Sequence, residues 1–370
     1  MRILLAYDHL DVGGAQTHGL GLSQALIQAG HEAAVASRGG SAAPRFAQIG
    51  VRCLDWPAPR RTDIAGLFRG IRRAERLLQS WRPDIIHAHA VLPGLMFSFA
   101  ARRRIPVVFT PHRSWRSLYH IPGGRALNRL MVQMLRLRAD AVIAVSEGLY
   151  RELTQQGIPS GRCHLIPNGV DVSTFDAIPP PPLSPNGSPR IVGTVGRLIE
   201  QKGVDVFIDA AALVVTHAPD VEFWIAGDGP LRETCRRRIA AHGMNGRMSL
   251  LGERADIPAL LRHMSVFVSA SHWEGMPYAL LEALAAQRPV VATRVFGSSE
   301  LIEDGVHGLL VPPDDASSMS AAIVSLLNDP PRARSLGQAG RRLVESHYSL
   351  QAMVDRILAE YQRAIADHSM

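Results

Sequence analysis

The sequence predicts an α/β protein with two doubly wound domains, and three observations support that fold class. Short apolar runs alternate with longer helical patterns, which is typical of parallel sheets covered by helices on both faces. A length of 370 residues suits two hydrophobic cores better than one. A proline-rich stretch near the middle interrupts the alternation, which then restarts, so we expect one domain on each side of it.

The first half begins with a predicted buried strand, Arg2 to Tyr7, a turn at Gly13 and Gly14, and a helix that continues to about Ala29. Further strands are predicted at 32–37, 84–89, 106–110, 141–145 and 164–166. These elements indicate a first domain over residues 1–172.

Residues 173–189 include consecutive prolines, which neither continue a helix nor donate hydrogen bonds to a sheet, so we expect a linker. A second domain, 190–349, follows. Its predicted strands are 190–195, 222–226, 248–251, 266–269, 290–293 and 308–311. An amphipathic helix over 350–367 comes after the last strand and could cover either domain.

The charge is uneven. The chain has 40 Lys and Arg against 33 Asp and Glu, a net charge of +7, and Lys202 is its only lysine. Residues 1–172 carry +11 and residues 173–370 carry −4, while the stretch 52–138 alone carries +13. A basic region of this size indicates an anionic partner, and nucleic acid, anionic lipid and phosphorylated substrates are the candidates.

Several classes of protein are excluded or disfavoured. An acid at Asp8 comes too early for a signal peptide, and the apolar uncharged run 85–101 is too short for a membrane span. Cys53, Cys163 and Cys235 lie far apart without metal-ligand spacing, so we expect a cytoplasmic protein without a metal site.

The candidate binding and catalytic residues of the second half lie in or near turns that contain glycine and follow predicted strands. Gly196 and Arg197 follow one strand and Lys202 comes shortly after, which indicates an anion clamp. In a second turn, Pro277 suits the first position of a helix, so that Glu274 and Glu282 lie on either side of the helix N-terminus. Carboxylates accept hydrogen bonds from hydroxyls and a helix N-terminus favours phosphate, a combination that fits a sugar or ribose beside a diphosphate.

The ordered set of motifs resembles glycosyltransferase family 4, whose members are retaining, nucleotide-sugar-dependent enzymes of the GT-B fold. The matching residues are Gly13-Gly14, Thr110-Pro111-His112, Val145-Ser146-Glu147, Ile166 to Asp171, Gly196-Arg197, Lys202-Gly203, Gly227 to Pro230 and Glu274 to Glu282. The resemblance implies two Rossmann-like domains that face a central cleft, with the last helix packed back on the first domain.

The resemblance also implies roles for individual residues. Arg197 and Lys202, with Gly196 in the same turn, would bind the donor diphosphate, Glu274 would face the donor sugar, and His112 would lie close to the transferred sugar. Glu282 would hold the ribose. The remaining donor contacts would come from Gly13 and Gly14 at the diphosphate, Gly252 and Arg254 near the base, and the backbone of Gly275, Met276, Pro277 and Tyr278 at the sugar.

Three further features bear on the chemistry. The sequence contains no Asp-x-Asp triplet to hold a metal, so we expect metal-independent transfer without a cofactor, with fixed cations stabilising the leaving group. His87 and His89 share one strand face, and we expect acceptor-side or structural roles for them. Phe296 stands where the family often has glycine, which leaves the packing at the sugar end and the sugar itself undecided.

The sequence therefore indicates a retaining hexosyltransferase that uses a UDP- or GDP-sugar and a glycan or lipid-linked acceptor in surface polysaccharide or lipopolysaccharide synthesis. Alternatives are an epimerase or hydrolase of the same fold, or a silent sugar-nucleotide-binding partner.

Arginines interleaved with apolar residues over 101–105, 113–119 and 125–138 suit docking on the inner face of the plasma membrane, although a solvated surface has the same pattern. Nucleic acid is not expected, because no binding module accompanies the charge.

Overall fold

The computed structural model describes residues 1–57, 64–112, 124–178 and 190–369. They form two compact units, one made of the described residues within 1–168 and 350–369 and the other of those within 169–349. Each unit contains one parallel sheet with helices. The predicted α/β class with two doubly wound sheets is confirmed.

The first unit has a seven-stranded sheet in the order β3-β2-β1-β4-β5-β6-β7. Every neighbouring pair is parallel. The strands are β1 (Arg2–Ala6), β2 (Glu32–Ser37), β3 (Arg52–Asp55), β4 (Ile85–Ala88), β5 (Val107–Phe109), β6 (Ala141–Ala144) and β7 (Cys163–Leu165). The winding changes direction between β1 and β4, which are neighbours in the sheet although they are far apart in sequence.

The helices of the first unit include the end of the chain. They are α1 (Gly14–Gln28), α2 (Ala43–Gln48), α3 (Ile64–Trp81), α4 (Val91–Ala100), α5 (Gly124–Arg138), α6 (Glu147–Gln155) and, after the second unit, α15 (Leu350–Ser369). Buried residues of α15, such as Ile357 and Tyr361, share a core cluster with Leu22 and Leu26 of α1 and with Ile3 of β1. The last helix is therefore part of the first unit's core.

The second unit has a six-stranded parallel sheet in the order β10-β9-β8-β11-β12-β13. The strands are β8 (Arg190–Val195), β9 (Val221–Ala226), β10 (Met248–Gly252), β11 (Val266–Ser269), β12 (Val290–Thr293) and β13 (Leu309–Val311). The helices are α7 (Ser173–Asp176), α8 (Val204–Val215), α9 (Arg232–Ala241), α10 (Ile257–His263), α11 (Tyr278–Ala285), α12 (Phe296–Leu301), α13 (Ala316–Asn328) and α14 (Pro330–His347).

The core of the second unit lies on both faces of its sheet. Val266 and Val268 of β11 belong to a cluster with α8, α9 and α13, whereas Phe267 belongs to a cluster with α10, α11 and α14. This alternation follows from the two-residue period of a strand. Because helices cover both faces, the loops at the carboxyl ends of the strands are the places where polar side chains can gather.

The structure differs from the sequence prediction in three places. β3 was not predicted, because it is a short edge strand whose Arg52, Cys53 and Asp55 are exposed and show no apolar run. The chain passes between units at 168/169, before the predicted boundary at 172. The predicted linker 173–189 begins with α7, which belongs to the second unit. Its proline-rich part, 179–189, lies outside the described residues.

Gly203 fixes how α8 approaches the end of β11. It has a left-handed φ of 55°, and a Cβ at this position would lie 2.0 Å from the carbonyl oxygen of Ala270. Gly243 has a similar φ of 66°, but a Cβ there would meet no other described residue within 4 Å, apart from its chain neighbours. The two glycines share a backbone conformation and differ only in their surroundings.

We expect Gly203→Ala to destabilise the chain far more than Gly243→Ala. The left-handed conformation alone costs about 1–2 kcal/mol for a residue with a Cβ, and only position 203 adds a clash with backbone. Chemical denaturation of both variants measures the difference. Equal losses of stability would contradict the close approach of α8 to β11.

Candidate active site

A buried ion pair lies where β8 and β11 end, at the point where the second sheet changes its winding direction. Lys202 follows the turn after β8, and its Nζ lies 2.5 Å from Oε1 of Glu274 in the loop after β11. The Glu274 side chain is only 6% exposed and that of Lys202 is 24% exposed. The structure thus joins two of the residues that the sequence singled out, although 72 positions separate them.

Further donors orient the Glu274 carboxylate. Ser271 Oγ donates to Oε1 at 2.7 Å, and Gln201 Nε2 approaches Oε2 at 3.5 Å while donating to the Trp273 carbonyl at 3.0 Å. Thr293 at the end of β12 donates to the Ser271 carbonyl at 2.5 Å, which ties the loop to the sheet. Hydrogen bonds of this kind hold an ionised carboxylate in one orientation. We call Gln201, Lys202, Ser271 and Glu274 the Lys202 cluster.

A small pocket adjoins the Lys202 cluster. It is bordered by the ends of β8 and β11 and by the start of α11, and its lining residues are Thr194, Val195, Gly196, Lys202, Val204, Ser269, Ala270, Ser271, Glu274, Pro277 and Ala279. Arg197, next to Gly196, is exposed, and no described residue forms an ion pair with its guanidinium. The turn therefore presents one partly buried and one exposed cation.

Helix α11 begins one residue later than the sequence predicts. Pro277 is its N-cap residue rather than its first helical residue, and no side chain caps this end. Tyr278 is buried, which raises the pKa of its hydroxyl well above the ordinary value, with a smaller effect from Glu282. Glu282 is partly buried on the same helix, and Met276 lies in the loop that leads into α11.

The departure from the family at Phe296 does not disturb the packing of this loop. Phe296 is 52% exposed at the start of α12. The tightly packed position is Gly297, where a Cβ would lie 2.5 Å from the Gly275 carbonyl oxygen. The glycine that the structure requires is present, and the aromatic ring lies outside the core.

Two other predicted donor contacts lie nearby in the fold. The Gly252 carbonyl at the end of β10 accepts a hydrogen bond from Gly227 N at 2.7 Å. Arg254 is exposed, and its guanidinium forms two hydrogen bonds with Asp256 at 2.7 and 2.6 Å. Its charge is therefore already paired.

The first unit also has a polar cluster where its sheet changes direction. His89 follows β4 and stacks on Tyr7, which follows β1, with ring centroids 4.6 Å apart. His89 Nδ1 lies 3.0 Å from His112 Nε2, and the ring of His18 from α1 packs against both. We call His18, His87, His89 and His112 the histidine cluster. Gly13 and Gly14 lie at the start of α1, where Gly13 is the N-cap residue.

Burial keeps the histidine cluster neutral. It lowers the pKa of His18 from 6.5 to about 4, and lowers the pKa values of His87, His89 and His112 well below the usual value, with smaller contributions from neighbouring histidines. Neutral imidazoles both donate and accept hydrogen bonds. The cluster can therefore contact hydroxyl groups without carrying charge at neutral pH.

Three of these histidines could in principle hold a metal ion. His18, His89 and His112 each offer a ring nitrogen, and these atoms lie within 4.8 Å of one another. Bonds of about 2.0–2.1 Å to a tetrahedral zinc place ligand nitrogens roughly 3.3 Å apart. His89 and His112 already bond to each other, and His18 Nδ1 lies 3.1 Å from Asn168 Oδ1. The arrangement is a hydrogen-bonded cluster as it stands.

Family models match most of the chain. A model described as Glycosyltransferase Family 4 matches residues 12–174, and one described as Glycosyl transferases group 1 matches residues 189–329. The chain belongs to glycosyltransferase family 4. The resemblance predicted from the motifs is confirmed.

Relatives of this glycosyltransferase act on varied sugars. It is 35% identical to an α-D-kanosaminyltransferase of Streptomyces kanamyceticus over 46% of this chain and 45% of that protein. It is 29% identical to the lipopolysaccharide core mannosyltransferase LpsB of Rhizobium meliloti, over 74% and 76% of the two chains. A mycobacterial glycogen synthase is 27% identical over 98% of this chain and 95% of its own length.

The fold of this glycosyltransferase matches that of Anabaena HepE, solved in complex with UDP and glucose. The TM-score is 0.85 at 21% identity, over 98% of this chain and 100% of the other. The predicted GT-B fold class is confirmed. In the described part of the chain, we find no helix that combines the length and apolar character needed to cross a membrane.

The sequence did not single out every residue of these clusters. Ser271 and Gln201 were missed as Glu274 partners, because a serine and a glutamine in polar loops carry no pattern of their own. His18 was missed because it lies inside a helix. The signal that could have identified His18 is its position four residues after Gly14, in the first part of α1.

The neutral histidines predict a pH dependence of stability. Their pKa values are depressed in the folded state, so below about pH 6.5 the unfolded chain takes up protons that the folded chain does not. Each such histidine then costs about 1.4 kcal/mol of stability per pH unit. We expect the Tm to fall between pH 7.5 and 5.5, and to fall less in His18→Gln. His263→Gln, at an exposed histidine, is the control; an unchanged pH dependence in His18→Gln would contradict the prediction.

Proposed function

We propose that this glycosyltransferase moves a hexose-type sugar from a UDP- or GDP-sugar to a hydroxyl of a glycan or lipid-linked acceptor, with retention of configuration. The observation that carries the proposal is the buried Lys202–Glu274 pair beside the exposed turn of Arg197. A cation and a carboxylate held together suit a donor that combines an anionic diphosphate with a neutral sugar.

Lys202 has the donor capacity that a diphosphate needs. An ammonium group has three N–H donors, and Glu274 takes one of them. The others can point to phosphate oxygens, and Arg197 adds a second positive charge on the same turn. The diphosphate becomes more negative as it leaves. Positive charge that is already fixed beside it lowers the barrier to its departure. We propose that these cations act without a metal ion.

Glu274 has one oxygen suited to the sugar. Its Oε1 accepts from both Lys202 and Ser271, while Oε2 has only the distant Gln201 amide at 3.5 Å among the hydrogen bonds described. A sugar hydroxyl could therefore donate to Oε2. We propose that Glu282 on α11 binds the ribose, as the family resemblance implies.

On the first unit, we propose that His112 contacts the transferred sugar. Its neutral imidazole can accept from or donate to a hydroxyl without the cost of placing a charge there. The motifs provide no unambiguous nucleophile, which favours attack of the acceptor on the same face that the diphosphate leaves.

The relatives support a role in surface polysaccharide or lipopolysaccharide synthesis, since one is a lipopolysaccharide core mannosyltransferase. The alternatives predict other products. An epimerase or hydrolase of the same fold would consume the donor without an acceptor, and a silent partner would bind the donor without consuming it. Product analysis with and without an acceptor separates the three.

Lys202→Ala tests the donor site. A charge-assisted hydrogen bond is worth about 1.5–3 kcal/mol, so we expect transfer to slow by roughly 10- to 100-fold at saturating donor. Thermal shifts with UDP, GDP and ADP identify the nucleotide, and the shift by the preferred one should shrink in the variant.

Arg236→Ala is the matched control, because it removes a cation that pairs with Glu233 on the surface of the same unit. It should keep both the rate and the thermal shift. A Lys202→Ala enzyme with a near-wild-type rate would overturn the assignment, and no shift with any of the three nucleotides would overturn the donor class.

We further propose that the first unit docks on an anionic membrane. Phe68 on α3 is 67% exposed, and Leu130 and Leu137 on α5 are 55% and 58% exposed. Arginines lie among them on both helices, which pack on α4. Each cation near an anionic leaflet adds about 1 kcal/mol of attraction. The predicted contribution of residues 113–119 lies outside the described residues.

Co-sedimentation with vesicles of phosphatidylglycerol and phosphatidylcholine tests this docking. We expect binding at low salt that weakens at high salt, because the attraction is screened. Phe68→Ser should reduce it, whereas Val306→Ser, at an exposed apolar residue of the second unit, should not. Indifference to the vesicles at low salt would contradict the proposal.

A further inference from the structure

A buried chain of hydrogen bonds connects the last helix of the protein to the loop that carries His112. The hydroxyl of Tyr361 on α15 lies 2.5 Å from His87 Nδ1, and His87 Nε2 lies 2.7 Å from Oγ1 of Thr110. All three side chains are fully buried. Both ring nitrogens of His87 are therefore satisfied, by residues 274 and 23 positions away.

Each link of this chain is held by a different element. His87 lies in β4, Tyr361 lies in the core cluster that α15 shares with α1, and Thr110 follows β5. The backbone N–H of Thr110 also donates to the Ala88 carbonyl at 2.9 Å. Only Pro111 separates Thr110 from His112, so the position of Thr110 constrains where the backbone of His112 lies.

The His87 ring also supports the His112 side chain from a second direction. Its centroid lies 4.1 Å from that of His89, whose Nδ1 bonds to His112 Nε2 at 3.0 Å. A rotation of the His87 ring would therefore disturb both the backbone before His112 and the imidazole that contacts it.

The Tyr361 hydroxyl can hold His87 in one orientation. Burial raises the pKa of Tyr361 well above its ordinary value, so the phenol keeps its proton. A buried imidazole nitrogen without a hydrogen-bond partner is destabilised by desolvation. The ring can reduce this cost by rotating or by changing tautomer. With a hydroxyl at each nitrogen, both ring nitrogens are satisfied in this one orientation, whichever nitrogen carries the proton.

We propose that Tyr361 is a positioning residue for His112, acting through His87, Thr110 and His89. The last helix then does more than cover the sheet of the first unit, because its hydroxyl sets the geometry of a residue near the reaction. The consequence for catalysis rests on the proposed function of His112. The consequence for the His112 imidazole itself does not, and the two are measured separately.

The first experiment needs no substrate. Nitrogen-15 NMR of histidine-labelled full-length protein, with the His112 signal assigned from His112→Gln, compares wild type with Tyr361→Phe. We expect the ring signals of His87 and of His112 to change. Ala364→Gly, on the same helix and buried, is the matched control, because it weakens α15 without removing a hydrogen bond to His87. An unmoved His112 signal in Tyr361→Phe overturns the proposal.

The second experiment measures transfer. We expect Tyr361→Phe and Thr110→Val each to lower kcat about tenfold, the scale of one buried hydrogen bond, with the KM for the donor unchanged. Thr110→Ser keeps the hydroxyl and should restore kcat. A kcat that falls equally in Ala364→Gly and Tyr361→Phe overturns the positioning role. Altered NMR signals in a protein that transfers no sugar would instead contradict the proposed function.

Discussion

The change of winding direction in each parallel sheet governs where polar groups can gather in this protein. Between β1 and β4, and again between β8 and β11, the connections leave to opposite faces, so the loops diverge and leave room outside the strand ends. Both polar clusters occupy these places. Tyr7 and His89 follow β1 and β4, and the Lys202 cluster is formed by the loops after β8 and β11.

The two clusters differ in charge, and the difference suits different ligands. The Lys202 cluster holds an ion pair whose carboxylate accepts several hydrogen bonds, with Arg197 exposed on the same turn. The histidine cluster is buried and neutral, because desolvation disfavours the imidazolium form. Fixed cations suit an anionic leaving group, whereas neutral imidazoles can donate to hydroxyls or accept from them. In both clusters, buried neighbours rather than exposed ones set the orientation of the groups.

Much of the fold and part of the candidate site could be predicted from the sequence, because glycine and proline mark the turns. Most strands were predicted to within one or two residues, since their runs of buried apolar residues are continuous, and only the exposed edge strand β3 was missed. The spacing of Glu274 and Glu282 around Pro277 located α11, although the helix begins one residue late. The partners of these residues were harder to predict, since Ser271, Gln201 and Tyr361 belong to no local pattern.

Local periodicity and ordered motifs are enough to establish the fold class, the family and the identity of the residues that bear charge near the strand ends. Which of those residues meet is a property of the folded chain alone. The bond between Lys202 and Glu274 and the one between Tyr361 and His87 span 72 and 274 positions. Such contacts depend on strand order and helix packing, which bring distant segments together through burial of apolar surface that no short stretch of sequence can describe.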